Sequence, residues 1–448
     1  MLLSSVFRRS TLAASTAATA ATAPSCAAAA AAAARHAVSR RTMASASSNE
    51  LMKTSLNDWH KELGGDMVPF AGYELPVLYK NQSENCGVMK EHLWCRSEGK
   101  ASLFDVSHMG QIRWHGKDRT QFVERIVGGD IQGLKENQSC LSLITNAEGG
   151  IMDDTVITNA GDHIYMVVNG ATKFTDMAHF SKILVDEFAD KDVTMEYLQD
   201  DYQLLAVQGS GAAAAILKVL PNNSIHSRNA SEDKLQIMPF MSSINNVMLD
   251  GIYPCRLTRC GYTGEDGFEI SVPAGISTIQ LASKLIKDPT VNPTGLGARD
   301  SLRLEAGLCL YGNDLNETIN PVMGALSWTL GKPNSRRRLE QGYLGADTFL
   351  TPEGKLQKQQ QKRVGIIGMK APARQDTEIY DATGTTKIGV ITSGTYSPCL
   401  KKPIAMGYVE TAHSKADTDI QLNIRNKMVS AKVTKMPFVE SRYYRVPE

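Results

Sequence analysis

Apolar positions along the chain fall into two textures. Through residues 51–330, short β-like runs alternate with segments of helical period. The runs IYMVVN at 164–169 and LLAVQ at 204–208 read as buried or half-buried strands. Residues 212–220 and 298–308 read as helices. In the second, Leu302, Leu304 and Leu308 interleave with Arg299, Asp300, Arg303 and Glu305, as expected for a helix with one apolar face. A polar stretch rich in breakers follows, GKPNSRRRLEQGYLG and then PEGKLQKQQQKR. From Arg363 onward the texture changes to short β runs, VGIIGM, KIGVITSG, IAMGYV, QLNIRN and VSAKVTK, separated by Gly and Pro turns. Even spacing of short strands predicts a small antiparallel barrel. The boundaries fall near 330 and 362, giving a region 51–330, a linker 331–361 and a barrel domain 362–448.

The first 48 residues lie outside this pattern. They hold an Ala27–Ala34 run, abundant serine, and Arg8, Arg9, Arg35, Arg40 and Arg41 without an acid. Arginine-rich, serine-rich and acid-free is the composition of an organelle transit peptide. A secretory signal would carry a bulky apolar centre instead. Without residues 1–50 the formal charge of +1 becomes about −3, from 43 basic and 46 acidic residues. A nucleic-acid binder would carry a basic excess, so that class is disfavoured. After the leader, no uncharged apolar stretch is long enough to span a bilayer, and no membrane insertion is expected. At 448 residues, with 42% hydrophobic and 21% charged residues, the chain fits an ordinary globular enzyme of two or three domains. The eight cysteines form no C-x-x-C pair and none sits at ligand spacing from a histidine, so no metal site is expected. His108 reads as structural.

Three motifs bear on chemistry. Gly209-Ser-Gly211-Ala-Ala-Ala214 follows a strand, opens a helix and has Glu232 and Asp233 about twenty residues on, which outlines a dinucleotide fingerprint. Its acids lie in a loop-like polar stretch and no second strand of a βαβ unit is evident, so it reads as a close-packed helix start. GGIMDD at 149–154 makes a tight turn into a β run. Neighbouring strand residues point to opposite faces, so only one of Asp153 and Asp154 can meet a pocket. On the residues alone, a solvated turn or a calcium-like cluster competes here with catalysis. TRCGYTGEDGFEI at 258–270 packs Gly261, Gly264 and Gly267 with three carboxylates before a short strand. Its glycines permit close backbone approach or positive φ, and its strand sets Glu269 opposite Phe268 and Ile270. It is either a ligand-contacting turn or a glycine-rich hairpin with solvated acids.

This last run resembles the signature of the aminomethyltransferase (T-protein) family of the glycine cleavage system. The resemblance continues in order through FDVSHM (104–109), LITNAEGGIMDD (143–154), LAVQG (205–209), RDSLRLEAGLCLYGND (299–314), SWTLGK (327–332), TSG (392–394), AMGYV (405–409) and KMPFV (435–439). It covers nearly everything after residue 52. It implies an α+β fold of three domains around a central hole, two intertwined α+β subdomains followed by the small barrel, with tetrahydrofolate in the hole. It implies transfer of the methylene carbon of the aminomethyl group from the dihydrolipoyl arm of H-protein to tetrahydrofolate. Ammonia is released and 5,10-methylenetetrahydrofolate forms. The implied partners are lipoylated H-protein and, functionally, the P- and L-proteins. No metal, nicotinamide or flavin is implied. The implied location is the mitochondrial matrix, which also decides the organelle for the leader.

Carried over residue by residue, the resemblance makes Asp154 the catalytic carboxylate and Glu269 the acceptor of the pterin donors. Arg299 becomes a substrate contact in place of a surface ion pair with Asp300 or Glu305. Arg363 and Tyr443 fall at the p-aminobenzoyl-glutamate end, where a guanidinium fork suits a carboxylate; Tyr444 is the alternative to Tyr443. Asn169 and Met109 become pocket-lining residues, and Trp328 a stacking candidate or a buried structural tryptophan. The chain departs from the family pattern at 94–101 (WCRSEGKA), which reads as a surface-loop insertion, at Gly170, and at the alanine-rich 211–215. Two rival functions are a non-enzymatic folate-binding relative assisting iron–sulfur assembly and the folate module of a dimethylglycine or sarcosine dehydrogenase. Against the first, RCGYTGEDG stands where those relatives carry K-G-C-Y-x-G-Q-E. Against the second, about 50 residues before Leu51 cannot hold a flavin domain.

Overall fold

The computed structural model describes residues 50–80, 86–221 and 232–446, without the side chains of Glu232, Asp233 and Gln236. The leader at 1–48 lies outside the described residues. Residues 50–448 form one compact unit built on two packed sheets and a barrel.

The first sheet has the order β10 (Ser242–Leu249), β11 (Ile252–Arg259), β12 (Gly267–Pro273), β9 (Tyr202–Gln208), β3 (Ala101–Asp105), β13 (Val291–Pro293), with β13 parallel to β3 and the other neighbours antiparallel. The second runs β5 (Ser139–Thr145), β6 (Ile151–Asn159), β7 (Ile164–Val168), β4 (Gly110–His115), β8 (Thr194–Tyr197), all antiparallel. A hairpin of β1 (Gly65–Phe70) and β2 (Tyr73–Tyr79) stands beside them.

Alternation on the strands decides what each sheet buries. In β9, Leu205 and Val207 face outward and pack with Phe268 and Ile270 against the helices Ala212–Leu217 and Ile276–Ile286. Leu204 and Ala206 face inward, onto Tyr165 and Val167 of the second sheet. The second sheet covers its own outer face with the helices Arg119–Ile126 and Lys173–Glu187, through Phe122, Ile126, Met177 and Phe180. Strands buried on both faces lose the polar alternation of a half-exposed sheet, which is why 164–168 and 204–208 read as continuous apolar runs.

The C-terminal strands close into a barrel of order β14 (Gln361–Ile367), β17 (Lys402–Glu410), β16 (Lys387–Ser397), β15 (Glu378–Tyr380), β18 (Asp419–Ile424), β19 (Lys427–Thr434). Ile366, Ile379, Ile391, Leu422 and Val433 fill it. The helix Leu296–Glu305 ties it to the sheets. Arg303 donates to Asp314 (2.6 Å) and to Ser393 Oγ of β16 (2.9 Å). The polar stretch before the barrel is held tightly: Arg337 donates to the carbonyls of Glu124, Val127 and Gly129, and Tyr343 and Phe349 are buried.

One expectation is overturned here and another holds. The stretch 94–101 is not a surface loop. Trp94, Cys95 and Arg96 close the helix Val88–Arg96, with Cys95 and Arg96 buried, and only Ser97, Glu98 and Gly99 are exposed. Arg96 donates to Glu265 Oε1 (2.7 Å) and to Glu305 Oε2 (3.1 and 3.2 Å). Its charge reads as surface in the sequence because its carboxylates lie 169 and 209 residues away. The G-x-G-x-x-A segment is a close-packed turn: a Cβ on Gly209 or Gly211 would lie 2.4–2.5 Å from the carbonyls of Lys100 and Gly99. Its acids fall at the start of the helix Glu232–Ile237, and their side chains lie outside the described residues.

Candidate functional site

The two sheets and the start of the barrel enclose a cavity of about 770 Å³. Asp154, Glu269, Arg299, Asn169, Met109, Arg363 and Tyr443 all line it. These seven come from β6, β12, the helix Leu296–Glu305, the segments after β7 and before β4, β14 and the C-terminal segment.

Strand register explains the carboxylates. Asp154 shares a face with Val156 and Thr158, which pair with Val167 and Tyr165 of β7 and look toward the first sheet. Asp153 points the other way, toward the helix Lys173–Glu187, and is fully buried. Glu269 pairs with Ala206 of β9 and shares its inward face. Asp154 and Glu269 therefore look into one layer from opposite sheets. Asn169, just beyond β7, joins the acids. Its Nδ2 donates to Asp153 Oδ1 (2.7 Å) and Asp154 Oδ1 (3.0 Å), and its backbone N–H donates to Asp153 Oδ2 (2.8 Å).

The electrostatics follow from this placement. Burial holds the Asp154 carboxyl above the ordinary range, opposed by Asn169 and by the Arg299 charge. Burial and the Asp154 charge do the same to Asp153. Burial raises Glu269 against the charge of Arg299 and a hydrogen bond from Cys260. Arg299 lies over the Tyr262 ring, 4.8 Å from Cζ to centroid. Its pKa is lowered by burial and supported by Tyr262, Glu269 and Asp154. Neither alternative ion-pair partner holds it: Asp300 pairs with Arg303, and Glu305 with Arg96 and His92. An apolar-walled cavity holding two carboxylates and one guanidinium can orient a heterocycle with adjacent N–H donors and oppose positive charge.

The rest of the lining sharpens several expectations. Tyr443 faces the cavity and stacks on Phe240 (4.2 Å between centroids), whereas Tyr444 lies under Arg259 at 3.8 Å from Cζ to centroid. Arg363 is not a free fork. Its Nε donates to Gly324 O (2.9 Å) and its Nη1 to Gly307 O (3.1 Å), so Nη2 alone is unengaged among the described residues. Trp328 lies at the cavity wall, 61% exposed, and so is not a buried structural tryptophan. His108 also lines the cavity, its buried Nδ1 without a hydrogen-bond partner among the described residues. Burial and the Arg299 charge keep it neutral, near 3. Sequence reading took His108 as structural and gave Tyr262 no role, because a single His or Tyr carries no periodic signal; both line the cavity.

The glycine-rich run plays a partly different role from that expected. A Cβ on Gly261 would lie 1.8 Å from Gln208 Oε1, and one on Gly267 2.4 Å from Gln208 Nε2. Those glycines admit the Gln208 side chain, which donates to Cys260 O (3.0 Å) and accepts from Thr263 (2.9 Å). Gly264 alone of the three has positive φ, +76°. The acids before the strand are structural: Glu265 is fully buried between Arg96 and Arg442, and Asp266 pairs with Arg259. Only Glu269 reaches the cavity. His92, Glu305 and Cys399 also converge, their ligand atoms within 4.8 Å. The Arg96 guanidinium already occupies Glu305 there.

Comparison with known proteins identifies the family and the fold. Residues 56–333 match the family described as GCVT N-terminal domain, and residues 361–440 the glycine cleavage T-protein C-terminal barrel domain. The mitochondrial aminomethyltransferase of Dictyostelium discoideum is 46% identical over 410 residues, 89% of this chain and 95% of that protein. The Homo sapiens mitochondrial aminomethyltransferase is 44% identical over 403 residues, 89% and 93% of the two chains. The crystal structure of the glycine cleavage system aminomethyltransferase T from Bartonella henselae superposes with a TM-score of 0.76 at 34% identity, covering 88% of this chain and all of that one. Both family models, these relatives and the shared fold place the chain in the glycine cleavage T-protein family, the aminomethyltransferases.

Proposed function

We propose that the cavity holds tetrahydrofolate as acceptor for aminomethyl transfer, with Glu269 fixing the pterin and Asp154 beside the reacting nitrogens. The chain transfers the methylene carbon of the aminomethyl group carried on the dihydrolipoyl arm of H-protein. Ammonia leaves and 5,10-methylenetetrahydrofolate is formed. Tetrahydrofolate supplies the nucleophilic nitrogens, and the protein's residues orient it and exclude water.

Glu269 accepts hydrogen bonds from the pterin amino group and ring N–H, a paired match for a carboxylate. Asp154 opposes the cationic character that develops at the transferred carbon and accepts a proton. Asn169 orients Asp154 through Nδ2. Arg299 balances the two acids, so the empty cavity does not bury two uncompensated negative charges. Met109 packs against the bound folate. Tyr443 and the Nη2 of Arg363 contact the p-aminobenzoyl-glutamate end, with Arg363 giving one donor in place of a two-donor fork.

The observation that carries this reading is the convergence of Asp154, Glu269 and Arg299 from three separate elements into one apolar-walled cavity. Relatives at 44–46% identity bear aminomethyltransferase names, which supports transfer over iron–sulfur assembly or a dehydrogenase module. Their names also say mitochondrial. With the arginine-rich leader, this supports a matrix location and a partnership with the lipoylated H-protein, alongside the P- and L-proteins. The chain division at about 330 and 362 is part of the same reading. The test supplies the purified chain with aminomethylated H-protein and tetrahydrofolate and measures methylenetetrahydrofolate and ammonia. Equimolar formation of both is expected. Folate binding without transfer would overturn the enzymatic reading in favour of a binding module.

A further inference from the structure

The layer between the two sheets does not end at the folate cavity. Beyond Glu269 it is plugged by Tyr165, Gln111 and Ser271. The Tyr165 hydroxyl donates to Gln111 Oε1 (2.7 Å), as does Ser271 Oγ (2.6 Å). Past this plug the layer opens into a second hollow, about 1000 Å³, lined by Arg113, Arg256, His115, His163, Asn245 and their neighbours. None of these lines the folate cavity.

The charge at its floor is unusual. Arg256, on β11, is 8% exposed. Its Nη2 donates to His163 Nε2 (2.7 Å), and its guanidinium lies 4.2 Å over the Tyr165 ring. Among the described residues, its buried Nη1 has no hydrogen-bond partner and no carboxylate pairs with it. Asp162, the nearest acid of the lining, is committed to His163 Nδ1 at 2.6 Å. With Nδ1–H donating to Asp162 and Nε2 accepting from Arg256, His163 is neutral and cannot offset the charge. Burial and the Arg256 charge hold it near 4. Arg113, on β4 opposite Tyr165, looks into the same hollow. Its Nε is buried without a hydrogen-bond partner among the described residues, while its Nη1 pairs with Glu196 at 3.6 Å. Buried guanidinium groups are ordinarily paired, and an orphaned N–H on one costs stability. Arg256 bears that cost, and a ligand oxyanion would supply the acceptor it lacks; Arg113, part-exposed and loosely paired with Glu196, brings a second guanidinium to the same hollow from the facing sheet.

We propose that this hollow is a second binding site, for a small metabolite bearing an oxyanion, held by Arg256 from the first sheet and Arg113 from the second. The shared chemistry is a planar or tetrahedral oxyanion accepting guanidinium N–H groups, and a hollow of this size suits a metabolite-sized molecule. The Asp162–His163 pair acts behind it by fixing the guanidinium of Arg256. The folate site does not depend on it, since neither arginine touches that cavity.

The test titrates the full-length chain with inorganic phosphate and, separately, with succinate, by calorimetry at constant ionic strength, for wild type, Arg256→Gln and Arg113→Gln. Saturable 1:1 binding of at least one anion is expected. Each substitution should weaken it by about 10–100-fold, the worth of a hydrogen bond to a charged group. Tetrahydrofolate-dependent turnover should stay at the wild-type rate, as a folding control. Saturation by phosphate alone assigns a phosphate-bearing ligand, and saturation by succinate alone a carboxylate. If Arg256→Gln fails to fold, Arg113→Gln, half-exposed at the rim, decides. Absence of saturation by both anions, or binding that survives both substitutions, overturns the site.

Discussion

Replacing Asp154 and Asp153 in turn by asparagine separates the two acids by two independent readouts. In Asp154→Asn the amide oxygen keeps the hydrogen bond from Asn169 Nδ2, now at 3.0 Å, and the new amide nitrogen turns to the cavity. Packing is unchanged, so thermal stability should hold. What vanishes is one preorganised charge in an apolar-walled site. Losses of that kind cost on the order of 10²–10³ in turnover, about 2.7–4 kcal/mol. Asp153→Asn is the opposite case. Both its oxygens accept from Asn169, at 2.7 and 2.8 Å, so an amide nitrogen on either side sets donor against donor. That costs about 1–3 kcal/mol of stability, partly offset by relief of repulsion from Asp154, while turnover should fall far less than in Asp154→Asn. Burial pushes Asp154 up to about 6, so wild-type turnover should rise with pH through that region as the carboxylate ionises, a limb that Asp154→Asn should lack. Single-turnover formation of methylenetetrahydrofolate across pH, beside thermal melts, measures both. A crippled, fully stable Asp153→Asn together with a near-normal Asp154→Asn would refute the facing assignment. Full activity in both would end the carboxylate mechanism.

Three other perturbations follow from the same structure. Glu269→Gln keeps one acceptor but sets an amide donor against the pterin donors, so tetrahydrofolate affinity should drop by roughly 2–4 kcal/mol with little change in melting, as calorimetry would show. Arg96→Met removes the shared partner of Glu265 and Glu305; since Arg442 and His92 still hold these acids, denaturant unfolding should report a loss at the low end of the buried-pair range, about 3 kcal/mol. Lys173 is fully buried, with Nζ donating to Tyr73, His108 O and Gln199. Burial lowers it from 10.5 to about 7, so between those values the unfolded chain binds the extra proton. Wild-type stability relative to Lys173→Met should therefore rise from pH 7 to pH 10, at up to about 1.4 kcal/mol per pH unit. A flat difference would contradict that.

Much of the architecture was legible in the order of residues. The runs at 164–168 and 204–208 announced buried strands because both of their faces are covered. The evenly spaced runs after 363 announced a barrel because strand and turn chemistry are local, although the three-residue strand β15 was too short to register. The strand period also left one of two adjacent acids free to meet a pocket. Which one does so depends on which side of β6 meets the other sheet, and that is settled by packing between strands far apart in the chain. The same holds for Arg96, which reads as surface until two distant carboxylates enclose it, and for the glycines at 261 and 267, which make room for Gln208, more than fifty residues earlier. The unpaired charge of Arg256 leaves no mark in the sequence either. Pairing and burial depend on contacts across long sequence separation, and no local pattern encodes them.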